Sequence, residues 1–255
     1  MTNTAATISE ILRYPVKGLS GEKLDRVSLT PGQTLPHDRR FAIENGPSGF
    51  DPAAPAYFPK TRFLMLMKNE RLAALKTQTS DNGDLVLHHD GQEVARGNLT
   101  TPSGRAAIEA FFASFSADEL RGPPKVLEAP GHSFSDVAKK VVSIINLASV
   151  ADLEKTIGKK VDPIRFRGNL YVQGWEPWQE FDLMDRVLAI GDARLKVVKR
   201  IVRCAATNVD PLTAQRDFEI PKTLLQKYGH ADCGIYAEVV SGGEIGKGER
   251  IETVS

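Results

Sequence analysis

Residues 72–89 read LAALKTQTSDNGDLVLHH. Two runs of strand length and strand composition, Leu72 to Thr79 and Asp84 to His89, flank Asp81-Asn82-Gly83. Asn-Gly between such runs predicts a β-hairpin, because both central residues of the tight hairpin turn need positive φ. The same pattern extends on either side. Ile8 to Val16, Lys23 to Leu29 and Arg39 to Ile43 each read as a strand. Arg62 to Met67 reads as another, after a Pro- and Gly-rich loop from Gly46 to Pro59, and Gly91 and Gly97 punctuate one more. The first half is therefore expected to be mostly short strands joined by turns.

The period changes at Ser103, which is expected to cap a helix running to about Phe115. Ala107, Ile108, Phe111, Phe112 and Phe115 fall at helical spacing and predict a face packed on the core. Gly122-Pro123-Pro124 is the candidate domain seam, since paired prolines end a helix and hold the chain extended. Beyond it come a strand at Lys140 to Leu147 and a helix capped by Ser149 and ended by Gly158. Strands follow at Asn169 to Gln173, Arg186 to Ile190 and Arg194 to Val202, then a helix at Pro221 to Tyr228. A last β pair spans Gly234 to Val240 and Glu249 to Val254. Strands outnumber helices without strict alternation, so the expected class is β-rich α+β, built from two barrel-like units sharing a cleft. The expected division is residues 1–122 and 123–255.

Composition narrows the function. Lys and Arg total 33 against 32 Asp and Glu, so no global field recruits nucleic acid or an anionic membrane surface. A bound anion must be gripped by a local cluster. The longest strongly apolar run, Phe63 to Met67, is too short to span a bilayer, and MTNTAATISE lacks the features of a secretory signal. Two distant cysteines, Cys204 and Cys233, suit a reducing compartment and exclude Cys-rich zinc or iron–sulfur sites within the chain. A cytoplasmic protein is expected.

Cys204 lies in VKRIVRCAATNVDP, with Lys199, Arg200 and Arg203 within five residues. Positive charge favours the thiolate, which is both the nucleophilic and the metal-binding form. A small buried hydrophobe is the plainer reading of a lone cysteine, and both stay open. Lys17, between a Pro-ended strand and two glycines in RYPVKGLSG, can turn its ammonium toward an anion or simply be solvated. Arg165 and Arg167 occupy alternate positions of RFRGN, and Asn169 falls on the same face if the segment is extended. Such a face suits phosphate or a hydrogen-bonding heterocycle, or it is an arginine ladder pairing with carboxylates. His88-His89 point to opposite faces if extended. His230, Asp232 and Cys233 are a weak candidate metal cluster. P-loop, GxSxG and GxGxxG motifs do not occur.

Four stretches together resemble the MOSC family, named for the C-terminal domain of molybdenum cofactor sulfurase. The opening YPVKGLSG is similar to the family's YPVKS-x-x-G, and HDRRFAI to its DR-aromatic strand. RFRGN is similar to RFRPN, and RCAATNVDPLT to RC-x-x-T-x-VDP-x-T. The resemblance runs from about Ile8 to Ile251 and points to members that pair a MOSC domain with an N-terminal β-barrel, among them the amidoxime-reducing components. It implies a molybdenum cofactor (molybdopterin) held between the two units, with Cys204 as both metal ligand and centre of catalysis. Lys17 and Arg39 would hold the pterin phosphate, Arg167 and Asn169 would contact pterin or phosphate, and Thr207 would lie beside the Cys204 turn. Gly18 stands where a serine is common, Gly168 where the proline is, Ala214 where a glycine is, and Val202 where some relatives carry a small polar residue.

The resemblance implies an oxidoreductase that reduces small N-hydroxylated compounds. Its electrons would come from a separate iron–sulfur, flavin or haem protein, since two cysteines cannot build a cluster site here. Two alternatives remain. One is a sulfur or cofactor carrier working through Cys204. The other is a non-enzymatic module whose basic cleft holds another phosphorylated ligand.

Overall fold

The computed structural model describes residues 6–254, so the first five residues of MTNTAATISE lie outside it. The amino-terminal stretch forms β1 (Ala6–Arg13), β2 (Glu22–Leu24), β3 (Arg26–Leu29) and β4 (Phe41–Asn45). The hairpin region gives β5 (Lys76–Thr79), β6 (Asp84–His89) and β7 (Gln92–Asn98), followed by α1 (Pro102–Phe115) and β8 (Pro124–Glu128). Next come β9 (Val142–Asn146), α2 (Leu147–Ile157), β10 (Leu170–Gln173), β11 (Val187–Ile190) and β12 (Ala193–Val202). The described chain closes with α3 (Ile220–Tyr228), β13 (Asp232–Ser241), β14 (Gly243–Gly246) and β15 (Arg250–Val254).

The class is β-rich α+β. One sheet closes into a seven-stranded barrel in the order β10-β9-β13-β12-β11-β15-β1, with β1 returning to β10 and β2 attached outside β1. Only the β9–β10 pair in the barrel is parallel. Closure leaves no open edge, which suits strands such as β9 whose residues are all buried. Ile8, Ile11, Ile144, Leu170, Leu188, Leu195, Val197 and Ile235 belong to the barrel's core cluster. Strand β1 comes from the far N-terminus and closes a barrel otherwise built after residue 140, so the two halves are interlocked. Pairing partners are a tertiary outcome, and local pattern does not encode them.

The first half also forms β4–β8 and β5–β6–β7, with α1 packed against β7 and β8. Its separate core joins Val16, Phe41, Ile43, Leu64, Leu85, Leu87, Ile108 and Phe112. Ile108 and Phe112 are fully buried while Phe111 and Phe115 pack at the margin, as the helical spacing predicts. The hairpin forms, but through a wider loop: Thr79 faces Leu85, and Gly83 rather than Asn82 carries the positive φ.

Several local expectations are corrected. The strand expected to reach Val16 stops at Arg13, because Tyr14-Pro15 turns the chain. Arg62 to Met67 is not a strand. A 3-10 turn at Lys60–Arg62 leads into a single bridge at Phe63, and Phe63, Leu64 and Met65 are all buried. Pro123-Pro124 do hold the chain extended, but as the start of β8, whose Pro124 pairs with Asn45 at a strand end where a missing N–H is tolerated. In α2 the cap is Asn146, which accepts from the Ala148 N–H at 3.0 Å, while Ser149 donates to buried Glu180.

In α1 the cap is Thr101, whose hydroxyl accepts from the Gly104 N–H at 3.1 Å, and Ser103 lies inside the first turn. Thr101→Ala is expected to cost about 1 kcal/mol, lowering Tm by roughly 2–4 °C for a chain of this size. Ser103→Ala should stay within about 0.5 kcal/mol. Thermal unfolding of the two variants checks this, and a larger loss at Ser103 would return the cap to that residue.

Candidate functional site

Strand β12 delivers Cys204. Its register shifts between Val197 and Lys199 and again between Arg200 and Val202, and such bulges re-aim the side chains that follow. Cys204 then precedes a 3-10 turn, Ala205–Asn208, and the Thr207 hydroxyl donates to the Cys204 carbonyl at 2.9 Å to hold that turn closed. The sulfur is half-buried and opens on a cleft of about 290 Å³ between the barrel and the first unit. Lys17, Arg39, Arg167, Asn169 and Thr207 all line the same cleft. The six residues singled out from the sequence are therefore brought together.

Their chemistry differs. Lys17 is buried, and its ammonium donates to the Phe134 carbonyl at 2.8 Å and to Asp136 at 2.5 Å. Burial pulls its pKa below the ordinary lysine value, against the opposing charge of Asp136. Burial alone would raise Asp136, but Lys17, Lys60 and Arg39 hold it well below the usual carboxylate range. Arg39 bonds Asp38 and donates to the Arg167 carbonyl at 3.0 Å. Both Arg39 and Arg167 sit over the buried Tyr14 ring, 4.6 and 4.3 Å from its centroid. Among the described residues the Arg167 guanidinium has no hydrogen bond or ion pair, which leaves its fork free for an anion.

The shared-face reading of RFRGN is corrected. The segment is a 3-10 turn over Pro163–Phe166 followed by Arg167 at φ 50°, so the two arginines diverge. Arg165 is engaged with Asp210 at 2.6 Å and Asp217 at 2.7 Å, the carboxylate-pairing alternative. Asn169 is also engaged: its carbonyl oxygen accepts from the Ser143 hydroxyl at 2.8 Å, and its amide donates to the Leu12 carbonyl at 3.2 Å.

Arg200 and Arg203, close to Cys204 in sequence, do not serve its sulfur. Arg203 donates to the carbonyls of Cys233 and Phe166, and Arg200 lies 4.3 Å over the Phe181 ring. The ammonium beside the sulfur is Lys60, 3.1 Å away, carried in from the first unit. Burial opposes the Lys60 charge, but Asp136 and Cys204 outweigh it and raise its pKa. Lys60 and Asp136 were not found by sequence reasoning. Lys60 opens a 3-10 turn and Asp136 lies in a loop, both without a motif and 144 and 68 residues from Cys204.

Cys233 is fully buried, and burial pushes its thiol up to about 12. His230 packs on Trp178, Phe181 and Tyr228, so the His230-Asp232-Cys233 cluster is not a ligand set. Among the described residues no group of three or more His, Cys, Asp and Glu side chains can hold a metal ion.

Two of the departures from the family pattern, Gly18 and Gly168, have local causes. Gly18 has φ 84°, and a Cβ there would lie 2.9 Å from the Leu64 carbonyl oxygen. Gly168 donates its N–H to the Tyr171 hydroxyl at 3.1 Å, a bond that proline would lose. Val202, 65% exposed, gives the cleft mouth an apolar rim.

Comparison with known proteins identifies the family. The family model described as the MOSC N-terminal beta barrel domain matches residues 5–123, and that of the MOSC domain matches residues 129–252. The chain is 38% identical over 89 residues to mitochondrial amidoxime-reducing component 1 of Homo sapiens, covering 35% of this chain and 26% of that protein. It is 26% identical over 223 residues to molybdenum cofactor sulfurase of Caenorhabditis briggsae, covering 83% of this chain and 30% of that protein. The chain thus spans roughly a quarter to a third of the length of these relatives. Among solved structures, YUAD protein from Bacillus subtilis aligns over 99% of this chain and 97% of its own, with TM-score 0.45 and 11% identity. With the two models matched in order along almost the whole chain, this protein belongs to the MOSC-domain family, its MOSC domain preceded by the MOSC N-terminal β-barrel domain.

Proposed function

We propose that this protein binds the molybdenum cofactor through Cys204 and reduces small N-hydroxylated compounds with electrons from a separate protein. One observation carries the reading: a single accessible thiol faces a cleft in which three cations converge, Arg167, unpaired among the described residues, buried Lys17 and half-buried Arg39. The donor set fits such a group. A metal that arrives with its own sulfur ligands needs one soft protein ligand rather than a three-residue cage, and a phosphate tail suits a free arginine fork. When bound, the cofactor would supply two-electron chemistry that removes oxygen from the substrate nitrogen.

The chain's own residues hold and orient. Cys204 would be the metal ligand, fixed by the turn that Thr207 closes. Arg167 and Lys17 would take the phosphate, and Arg39 would steady Arg167 through its carbonyl. Asn169 would act behind them, tying the site to β1 and β9. Two cysteines cannot hold an iron–sulfur cluster within this chain, so the electron-donating centre, iron–sulfur, flavin or haem, is assigned to a partner. The names of the amidoxime-reducing relatives favour this chemistry. The free thiols favour a reducing compartment such as the cytoplasm. Among the described residues no helix is long and apolar enough to cross a membrane.

Protein expressed in a host that makes the cofactor is expected to carry near-stoichiometric molybdenum and pterin. It should also reduce an N-hydroxylated test compound when given a chemical reductant. Absence of both metal and pterin would sink the proposal. A second reading, sulfur or cofactor transfer through Cys204, is favoured by the longer match to the sulfurase. Its sulfur-carrier form predicts a reductant-sensitive mass increase of one sulfur on Cys204 after incubation with a persulfide donor, whose sulfane sulfur moves to the thiolate as the donor thiol leaves, and unmodified thiol would exclude that form.

A further inference from the structure

The Lys60 contact with Cys204 crosses the cleft from the opposite wall. Its segment is fixed at several points. The Arg62 N–H bonds the Pro59 carbonyl at 3.0 Å, the Phe63 N–H bonds the Lys60 carbonyl at 3.1 Å, and the Leu64 N–H bonds the Ile43 carbonyl of β4 at 2.8 Å. Arg121 further ties down the Thr61 carbonyl. From this anchored turn the Lys60 ammonium reaches Cys204 Sγ at 3.1 Å and Asp136 Oδ2 at 3.3 Å. The Asp136 loop is itself clasped by Lys17 on its carboxylate and by the Tyr57 hydroxyl on its carbonyl. Lys60 is thus held between a carboxylate and a sulfur by a built wall, unlike the solvated lysines of the surface.

We propose that Lys60 is the positioning residue of Cys204: from the first unit it holds the sulfur toward the cleft and keeps one positive charge beside it. The effect on a bound metal rests on the function proposed above, whereas the contact with the sulfur does not. An ammonium donating to a ligating sulfur draws electron density from it and favours the reduced state of the metal, as hydrogen bonds to sulfur do in other metal centres. A neutral side chain at position 60 would leave the ligand in place and shift the potential downward.

The test uses charge-dependent alkylation of Cys204 in cofactor-free protein, read by peptide mass spectrometry with Cys204→Ala as the blank. The readout is the rate with anionic iodoacetate divided by the rate with neutral iodoacetamide. The fraction of thiolate cancels in this ratio, which leaves the local charge. In Lys60→Met the ratio is expected to fall about five-fold, the effect of one unit charge about 4 Å away under water-like screening. Lys60→Arg should keep it near the wild-type value. In molybdenum-loaded protein, Lys60→Met should lower the metal's reduction potential and Lys60→Arg should restore it. An unchanged ratio in Lys60→Met overturns the contact, and a fallen ratio with an unmoved potential overturns its action on the metal. Protein that never takes up molybdenum sinks the function proposed above and still leaves the alkylation ratio to decide on Lys60.

Discussion

Cys204→Ala is expected to give a folded protein that carries no molybdenum and has no reductase activity. The sulfur is the one thiol exposed to the cleft, since the only other cysteine is fully buried. Losing outer partners of a metal ligand typically weakens metal binding about 10- to 100-fold, so losing the ligand itself should exceed the upper figure. The fold has little reason to respond. Thr207 bonds the Cys204 carbonyl, which alanine keeps, and the sulfur accepts a hydrogen bond from Lys60, which retains Asp136. Stability should therefore change by no more than about 0.5 kcal/mol. Metal analysis, pterin fluorescence after oxidative release and a thermal melt on the same preparations give the result. Wild-type metal content in the variant would remove Cys204 from the site. Pterin retained without molybdenum would separate the phosphate grip of Arg167 and Lys17 from the metal bond.

The sequence carried these features unequally. Strand runs and the helical phenylalanines were legible because burial imposes a period on the residues themselves, as at Ile108 and Phe112. That β1 would close a barrel with β10 and β15 was not legible, because a strand's pattern shows which face is buried and not which strand lies beside it. At the site, Cys204, Lys17 and Arg39 stood out through motifs. Lys60 and Asp136 did not, because their roles arise from loops that meet only after folding. Arg200 and Arg203 misled for the converse reason. Closeness in sequence suggested closeness to the sulfur, while the bulged strand turned Arg200 onto Phe181 and Arg203 onto backbone carbonyls.

Arg165 and Arg167 test that lesson most directly, since the sequence presents them as a pair and the structure gives them opposite tasks. Arg165, its side chain 2% exposed, answers Asp210 and Asp217 and lies over the Phe218 ring. Arg165→Met would strip both carboxylates of their cation. Breaking a fully buried pair costs about 3–5 kcal/mol. These carboxylates keep some contact with water, so about 2–3 kcal/mol is expected, a Tm drop of roughly 5–10 °C. Arg167→Met orphans no acceptor, because its guanidinium has none among the described residues, and methionine can still cover the Tyr14 ring. Its Tm should fall by no more than about 3 °C, the share of one cation–π contact. Cofactor retention should respond in the other order. A charge-assisted hydrogen bond contributes about 1.5–3 kcal/mol, so Arg167→Met should retain pterin roughly 10- to 100-fold less well. Arg165→Met, assayed well below its melting point, should hold pterin near the wild-type level. Thermal melts and released-pterin fluorescence on both variants place them on two axes. A large Tm loss for Arg167→Met, or full pterin in it, would show that its free fork serves the fold and not the anion.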